Sequence, residues 1–276
     1  MSDTANPNDR LILDQPPLRI KRCRRGPMMY FPADLYVGRS LDLYGEFSEG
    51  EVELFTQIVK PGMLVVDVGA NIGAHTVFFA KTVGPEGRVL AVEPQRILYQ
   101  ILCANLALNL IGNTFVRQAG LGSAPGSIQV PPINYAGSFN FGGVSLGNFT
   151  EGEQVPVITL DSLALPACHV LKIDVEGMES EVLQGGRDTL ARHRPLLYVE
   201  NDRPEKSAAL IALLFELDYR LFWHLPPLFH ADNFAGHAEN VFSTIVSANM
   251  IGVPRSIEQS VQGFREITSP DDKWQG

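Results

Sequence analysis

From residue 64 to residue 76 the chain reads Leu-Val-Val-Asp-Val-Gly-Ala-Asn-Ile-Gly-Ala-His-Thr. A short β-branched run reads as a buried strand, and the segment from Gly73 through Val77, Phe78 and Ala80 reads as a helix. Glycines in the turn between them let the backbone come close to a ligand. The helix that follows offers free N–H groups to an anionic end.

The strand and helix patterns then alternate, the signature of a parallel sheet covered on both faces. Strands are expected over about 64–68, 88–93, 115–119, 155–159, 170–175, 196–200, 219–223 and 241–246. Helices are expected over about 97–109, 179–183, 187–193 and 205–217. An earlier helix, capped at Ser48, carries Val52, Leu54, Phe55, Ile58 and Val59 and stops at Pro61-Gly62. Residues 1–27 read as an irregular arm. Its basic run of Arg19, Lys21, Arg22, Arg24 and Arg25 reads as a solvated face rather than a site for an anionic partner. Residues 28–43 suggest a small hairpin. The Gly-rich stretch 120–152 is too long for an ordinary connection and suggests a binding loop or lid, with some order around 140–146.

With 276 residues, 45% of them apolar, the chain can bury a full core. Its 31 acidic and 22 basic residues give a net charge of -9, which opposes binding to phosphate backbones or anionic membranes. No nucleic-acid or membrane partner is expected. The N-terminal ten residues lack the apolar core of a signal peptide, and the apolar stretch 63–80 is broken by Asp67, Asn71 and His75. Cys23, Cys103 and Cys168 are too few and too scattered for a disulfide framework or a zinc site, so a reducing cytoplasm is the expected setting.

Glu93 ends the second strand, 26 positions after Asp67, where a carboxylate can accept both hydrogen bonds of a ribose diol. Turn, helix start and spaced acid together point to a nucleotide-like ligand. NAD and S-adenosylmethionine (SAM) both meet that description. Aligned on Gly69, the dinucleotide fingerprint falls on Gly69, Asn71 and Ala74, and loss of the middle glycine favours a ligand without a pyrophosphate.

The segments DVGANIGAHT (67–76), AVEP (91–94), NFGGVSL (140–146), TLDSL (159–163), LKIDVEGME (171–179) and RPLLYVEN (194–201) occur in that order. In this the chain resembles the FkbM family of SAM-dependent methyltransferases over about residues 44–250. The resemblance implies a class I, Rossmann-like α/β fold with a seven-stranded sheet, helices on both faces and the last strand, 241–246, antiparallel. It implies methyl transfer to oxygen on a sugar, glycan or polyketide-like acceptor. By the same analogy Asp67, Gly69, Asn71 and Gly73, with Ala70 in the same turn, line the methionine end of SAM. Glu93 takes the ribose, and Gly120 and Leu121 lie on the adenine side. Residues 1–43 then form an N-terminal extension and 251–276 a tail.

A second constellation, Lys172-Ile173-Asp174-Val175-Glu176-Gly177, ends a buried strand with two carboxylates. Ligands in open α/β sheets sit beyond the carboxyl ends of the strands, so Asp174 and Glu176 are expected to face the cofactor crevice, Asp174 orienting SAM or the acceptor and one of the two taking the hydroxyl proton. Glu200 and Asn201 end the next strand. His224, at the end of a later one, is a candidate general base. His224, His230 and His237 lack a paired ligand spacing, so no metal site is expected. The aromatic stretch 222–229, with Asn140 and Phe141, is a candidate acceptor wall. The rival readings are an NAD-dependent oxidoreductase and a non-catalytic SAM-binding protein.

Overall fold

The computed structural model describes residues 11–146, 149–258 and 261–274. The first ten residues, on which the expectation of no signal peptide rests, lie outside them.

The chain opens with strands β1 (Leu11–Gln15), β2 (Leu18–Cys23) and β3 (Gly26–Tyr30), paired antiparallel, and then helices α1 (Val37–Tyr44) and α2 (Glu49–Ile58). The irregular arm and the hairpin after it are therefore corrected to a small sheet and a helix. The basic run is only partly the solvated face expected: Arg22 and Arg24 are exposed, but three of its arginines are ion-paired. Arg19 meets Asp42 at 3.0 Å, Arg24 meets Glu46 at 2.6 Å, and Arg25 meets Glu49 at 2.6 Å. These pairs fasten the small sheet to α1, to α2 and to the turn between them.

The core follows as β4 (Leu64–Val68), α3 (Ala74–Val83), β5 (Arg88–Val92), α4 (Arg96–Leu108), β6 (Thr114–Arg117), β7 (Gly120–Leu121), β8 (Gly126–Val130) and β9 (Glu153–Ile158). It continues with β10 (Val170–Ile173), α5 (Glu179–Gln184), α6 (Arg187–His193), β11 (Leu196–Glu200), α7 (Pro204–Glu216), β12 (Tyr219–His224), β13 (Asn249–Pro254) and β14 (Arg265–Ile267). The central sheet runs β14-β12-β13-β11-β10-β4-β5-β6. Strands β11, β10, β4, β5 and β6 are parallel, and β13 lies antiparallel between β11 and β12.

Alternating side chains serve the two faces. Val66, Val68, Leu171 and Ile173 pack against α5, α6 and α7, while Val65, Val170 and Tyr198 pack against α2 and α3. The α/β expectation stands, with eight strands in the sheet instead of seven. The strand expected at 241–246 is a turn, with Ser243 in the left-handed region at φ 52°. The antiparallel strand is β13, fully buried, and its Gly252 is forced by contact: a Cβ there would stand 2.9 Å from Leu197 Cβ. With β14 at the edge, the sheet continues into residues expected as a tail.

Part of the Gly-rich stretch is ordered structure. β7, β9 and β8 form a second small sheet, and Phe141 is wholly buried against Phe31 and Tyr135. Among the described residues no helix is long and apolar enough to cross a membrane.

Candidate active site

The turns after β4, β5, β10 and β11 converge on one cavity of about 470 Å³. Its floor is the turn after β4, where Gly69, Asn71 and Gly73 all take left-handed backbone angles, φ 77°, 51° and 87°. Asparagine tolerates that region better than most side chains, whereas Gly69 has no substitute, because a Cβ would run into the Asp174 carbonyl.

Glu93 is 4% exposed and lines the cavity. Its Oε2 accepts the Asn71 amide at 2.8 Å and its Oε1 the Gln95 amide at 2.9 Å. Burial pushes the carboxyl up to about 7, against the pull of those two hydrogen bonds. Each oxygen keeps a second lone pair, so the acid can hold a ribose diol while it holds the turn. Gly120 and Leu121 line the same cavity. Of the set expected around SAM, Asp67, Gly69, Ala70, Asn71, Glu93, Gly120 and Leu121 line this cavity, and their chemistry fits that group; Gly73 does not line it and packs instead against Leu102.

Asp67 is wholly buried. Its Oδ2 accepts from Thr76 Oγ1 at 2.6 Å, while Oδ1 has no hydrogen bond and faces Lys172 Nζ at 3.4 Å. Lys172 also reaches Asp174 Oδ2 at 3.0 Å. Burial lowers the pKa of this ammonium, but Asp174, Asp67 and Glu51 together keep it well above the usual lysine value. It is a fixed positive charge between the two acids.

On the far side of the cavity stand Glu176 and Glu200. Glu176, at φ 58°, is ion-paired with Arg203 and is raised to about 8 by burial and by Asp174, with Arg203 opposing. Glu200 is raised well above the carboxylate range by burial and by Asp174 and Glu176. The two carboxylates expected together after one strand and the one expected at the end of the next form a single cluster, with oxygens of Asp174, Glu176 and Glu200 within 4.8 Å of one another.

The structure adds residues to which the sequence assigned no role. Glu51 of α2 is 5% exposed and lines the cavity, its Oε1 3.3 Å from Asn249 Nδ2 and its Oε2 3.6 Å from His75 Nε2. Burial and Asp174 push its carboxyl up to about 7. His75, also buried, is held well below the usual histidine value by burial and stays neutral. A first-turn helix acid normally reads as solvated, and only the fold turns Glu51 inward.

His224 is corrected out of the site. It does not line the cavity. Its Nδ1 lies 2.9 Å from the Tyr198 hydroxyl, its ring meets Phe264, and burial lowers its pKa to about 4. His230 turns to Glu46 and His237 packs on Tyr44, so these histidines share no centre. Of the expected aromatic wall, Leu228 and Asn140 line the cavity, whereas Phe222 and Trp223 belong to the sheet's two core clusters.

A family model described as "Methyltransferase FkbM domain" matches residues 67–221. The chain is 29% identical over 154 residues to "Methyltransferase sdnD" of Sordaria araneosa, covering 44% of this chain and 59% of that protein. It is 29% identical over 158 residues to "Hexuronic acid methyltransferase AglP" of Haloferax volcanii, covering 56% and 62%. The chain thus spans about three fifths of the length of these curated relatives. A solved FkbM methyltransferase from Methylobacillus flagellatus KT superposes with a TM-score of 0.46 at 19% identity, covering 79% of this chain and 55% of that one.

Proposed function

Because the chain belongs to the FkbM methyltransferase family, we propose that it is a SAM-dependent O-methyltransferase acting on a hydroxyl of a sugar, glycan or polyketide-like small molecule. One observation carries this reading: a single cavity has a diol-binding acid, Glu93, on one side and the carboxylates of Asp174, Glu176 and Glu200 on the other. Similarity to a hexuronic acid methyltransferase supports a sugar-like acceptor, and the net charge of -9 argues against nucleic acid. The free thiols of Cys23, Cys103 and Cys168 suit a cytoplasmic setting.

SAM, when bound, supplies an electrophilic methyl carbon on a sulfonium. The turn at 69–71 would hold its methionine end, Glu93 its ribose, and Gly120 with Leu121 its adenine side. Asp174, pinned by Lys172, accepts a hydrogen bond from the acceptor hydroxyl and so aims its oxygen. A carboxylate of the site would take the acceptor's hydroxyl proton as that oxygen accepts the methyl group and S-adenosylhomocysteine leaves. Glu51, raised to about 7, is poised to take it near neutral pH, whereas Glu176 is held by Arg203. The main contribution to rate is alignment of oxygen, methyl and sulfur.

Calorimetric titration with SAM, S-adenosylhomocysteine and NAD is the first test. Saturable binding of the two adenosyl ligands is expected, followed by labelled methyl transfer to a member of a sugar and alcohol panel. Binding of NAD alone overturns the reading, and binding without transfer across the panel favours a non-catalytic SAM-binding protein.

A further inference from the structure

The acid cluster on the far side of the cavity gathers more carboxyl oxygens than its protein neighbours partner. Asp174 and Glu176 follow β10 and Glu200 ends β11, which brings one oxygen of each within 4.8 Å of the other two. Lys172 Nζ occupies one oxygen of Asp174, at 3.0 Å, and Arg203 occupies one of Glu176. Glu200 has no such partner. Its Oε2 is shut off from solvent and accepts no hydrogen bond, and the side chain brings an oxygen within 4.8 Å of the other two carboxylates. A buried carboxylate oxygen without a donor signals an unfilled need for a proton donor, a water or an ion.

We propose that Asp174, Glu176 and Glu200 bind a hard divalent cation of the Mg²⁺ or Mn²⁺ type, which faces the cavity and takes the acceptor oxygen as a further ligand. The donor chemistry fits: three carboxylates and no sulfur or imidazole select oxygen-seeking ions. The spacing fits as well. Oxygens on one Mg²⁺ stand roughly 3.0 Å apart when adjacent and roughly 4.2 Å when opposite, and somewhat more on a larger cation, so side-chain rotations that draw the three oxygens in from 4.8 Å close the set. The cation neutralises Glu200, leaves Lys172 and Arg203 on the outer oxygens, and gives the hydroxyl a fixed seat beside the donor. That catalytic role rests on the function proposed above; the binding of the ion does not.

The test is titration of chelator-treated full-length protein with Mn²⁺ alone, followed by electron paramagnetic resonance and calorimetry. One saturable Mn²⁺ per chain is expected, displaced by excess Mg²⁺ and weakened at least tenfold in Glu200→Gln. An exposed-acid variant, Glu151→Gln, should bind as the parent does. Should Glu200→Gln fail to fold, Glu176→Gln with an intact circular dichroism spectrum serves in its place. No saturable Mn²⁺ binding, or unchanged affinity in a folded Glu200→Gln or Glu176→Gln, overturns the site. Mn²⁺ binding without methyl transfer leaves the site standing and removes the proposed function. Transfer that is fully retained in chelator removes the ion's catalytic role alone.

Discussion

The amide of Asn71 donates to Glu93 Oε2 at 2.8 Å, so the acid that ends β5 and the turn that follows β4 hold one another in place. The same carboxylate is the expected ribose ligand, which couples binding of the donor to the shape of its cradle. Glu93→Ala leaves the amides of Asn71 and Gln95 without acceptors, a loss of about 1–3 kcal/mol in unfolding free energy. SAM affinity should fall by at least about tenfold, equivalent to about 1.4 kcal/mol. Glu93→Gln should recover part of the stability and little of the affinity. Thermal denaturation beside calorimetric titration separates the two effects, and parent-like values for Glu93→Ala on both would remove Glu93 from the cradle.

Lys172 is the positive centre of a buried acid group, 3.4 Å from Asp67 and 3.0 Å from Asp174. Lys172→Met keeps much of the volume but strands Asp67 without a countercharge. Breaking a buried pair on one side costs about 3 kcal/mol or more. Urea unfolding should show it as a lower midpoint with little change in slope. A midpoint equal to the parent's would mean that Asp67 takes up a proton in the variant at no cost.

Stability should fall as pH rises through neutrality. Burial holds the carboxyls of Glu51 and Glu93 at about 7, above the value of about 4.3 for an unfolded glutamate. The folded chain therefore binds more protons than the unfolded chain between those limits. The stabilisation is complete below about pH 4 and is lost as pH climbs through about 7. Glu51→Gln should flatten the fall measured by urea unfolding from pH 5 to pH 8. An equal slope in parent and variant would show that Glu51 is ionised across the whole range.

His224 should prove dispensable for chemistry. Its imidazole partners the Tyr198 hydroxyl at 2.9 Å and does not line the cavity. His224→Asn is expected to lose about 1 kcal/mol of stability and to keep kcat within about twofold. With its folded pKa lowered to about 4, this histidine also contributes stability that is present above about pH 6.5 and lost as pH falls, a component the variant should lack. A hundredfold fall in kcat would return His224 to the site.

The turn after β4 and Glu93 were legible because their causes are local. A β-branched strand, a glycine turn and an acid one strand later stand close together in the chain, and the fold only has to close them. The Glu51 side of the cavity depends on contacts across long separations. Glu51 meets Asn249 through the stacking of α2 against the sheet, and nothing near either residue announces the other. The basic run at 19–25 read as solvated because its partners Asp42, Glu46 and Glu49 lie more than twenty positions on. Strand β13 was missed because Gly252 and Pro254 resemble loop residues, whereas Gly252 is small to let Leu197 approach.

The cavity wall is drawn from two parts of the chain. Gly69, Glu93, Gly120 and Asp174 fall within the stretch matched by the family model, but Tyr36, Phe47, Glu51 and the segment 245–249 lie outside it. An enzyme built this way can keep its methyl donor while exchanging its customer. On the function proposed above, drift in the flanking helices and in the loop before β13 would reshape the seat of the acceptor without disturbing the donor cradle, so that two family members alike across the matched stretch would modify different molecules.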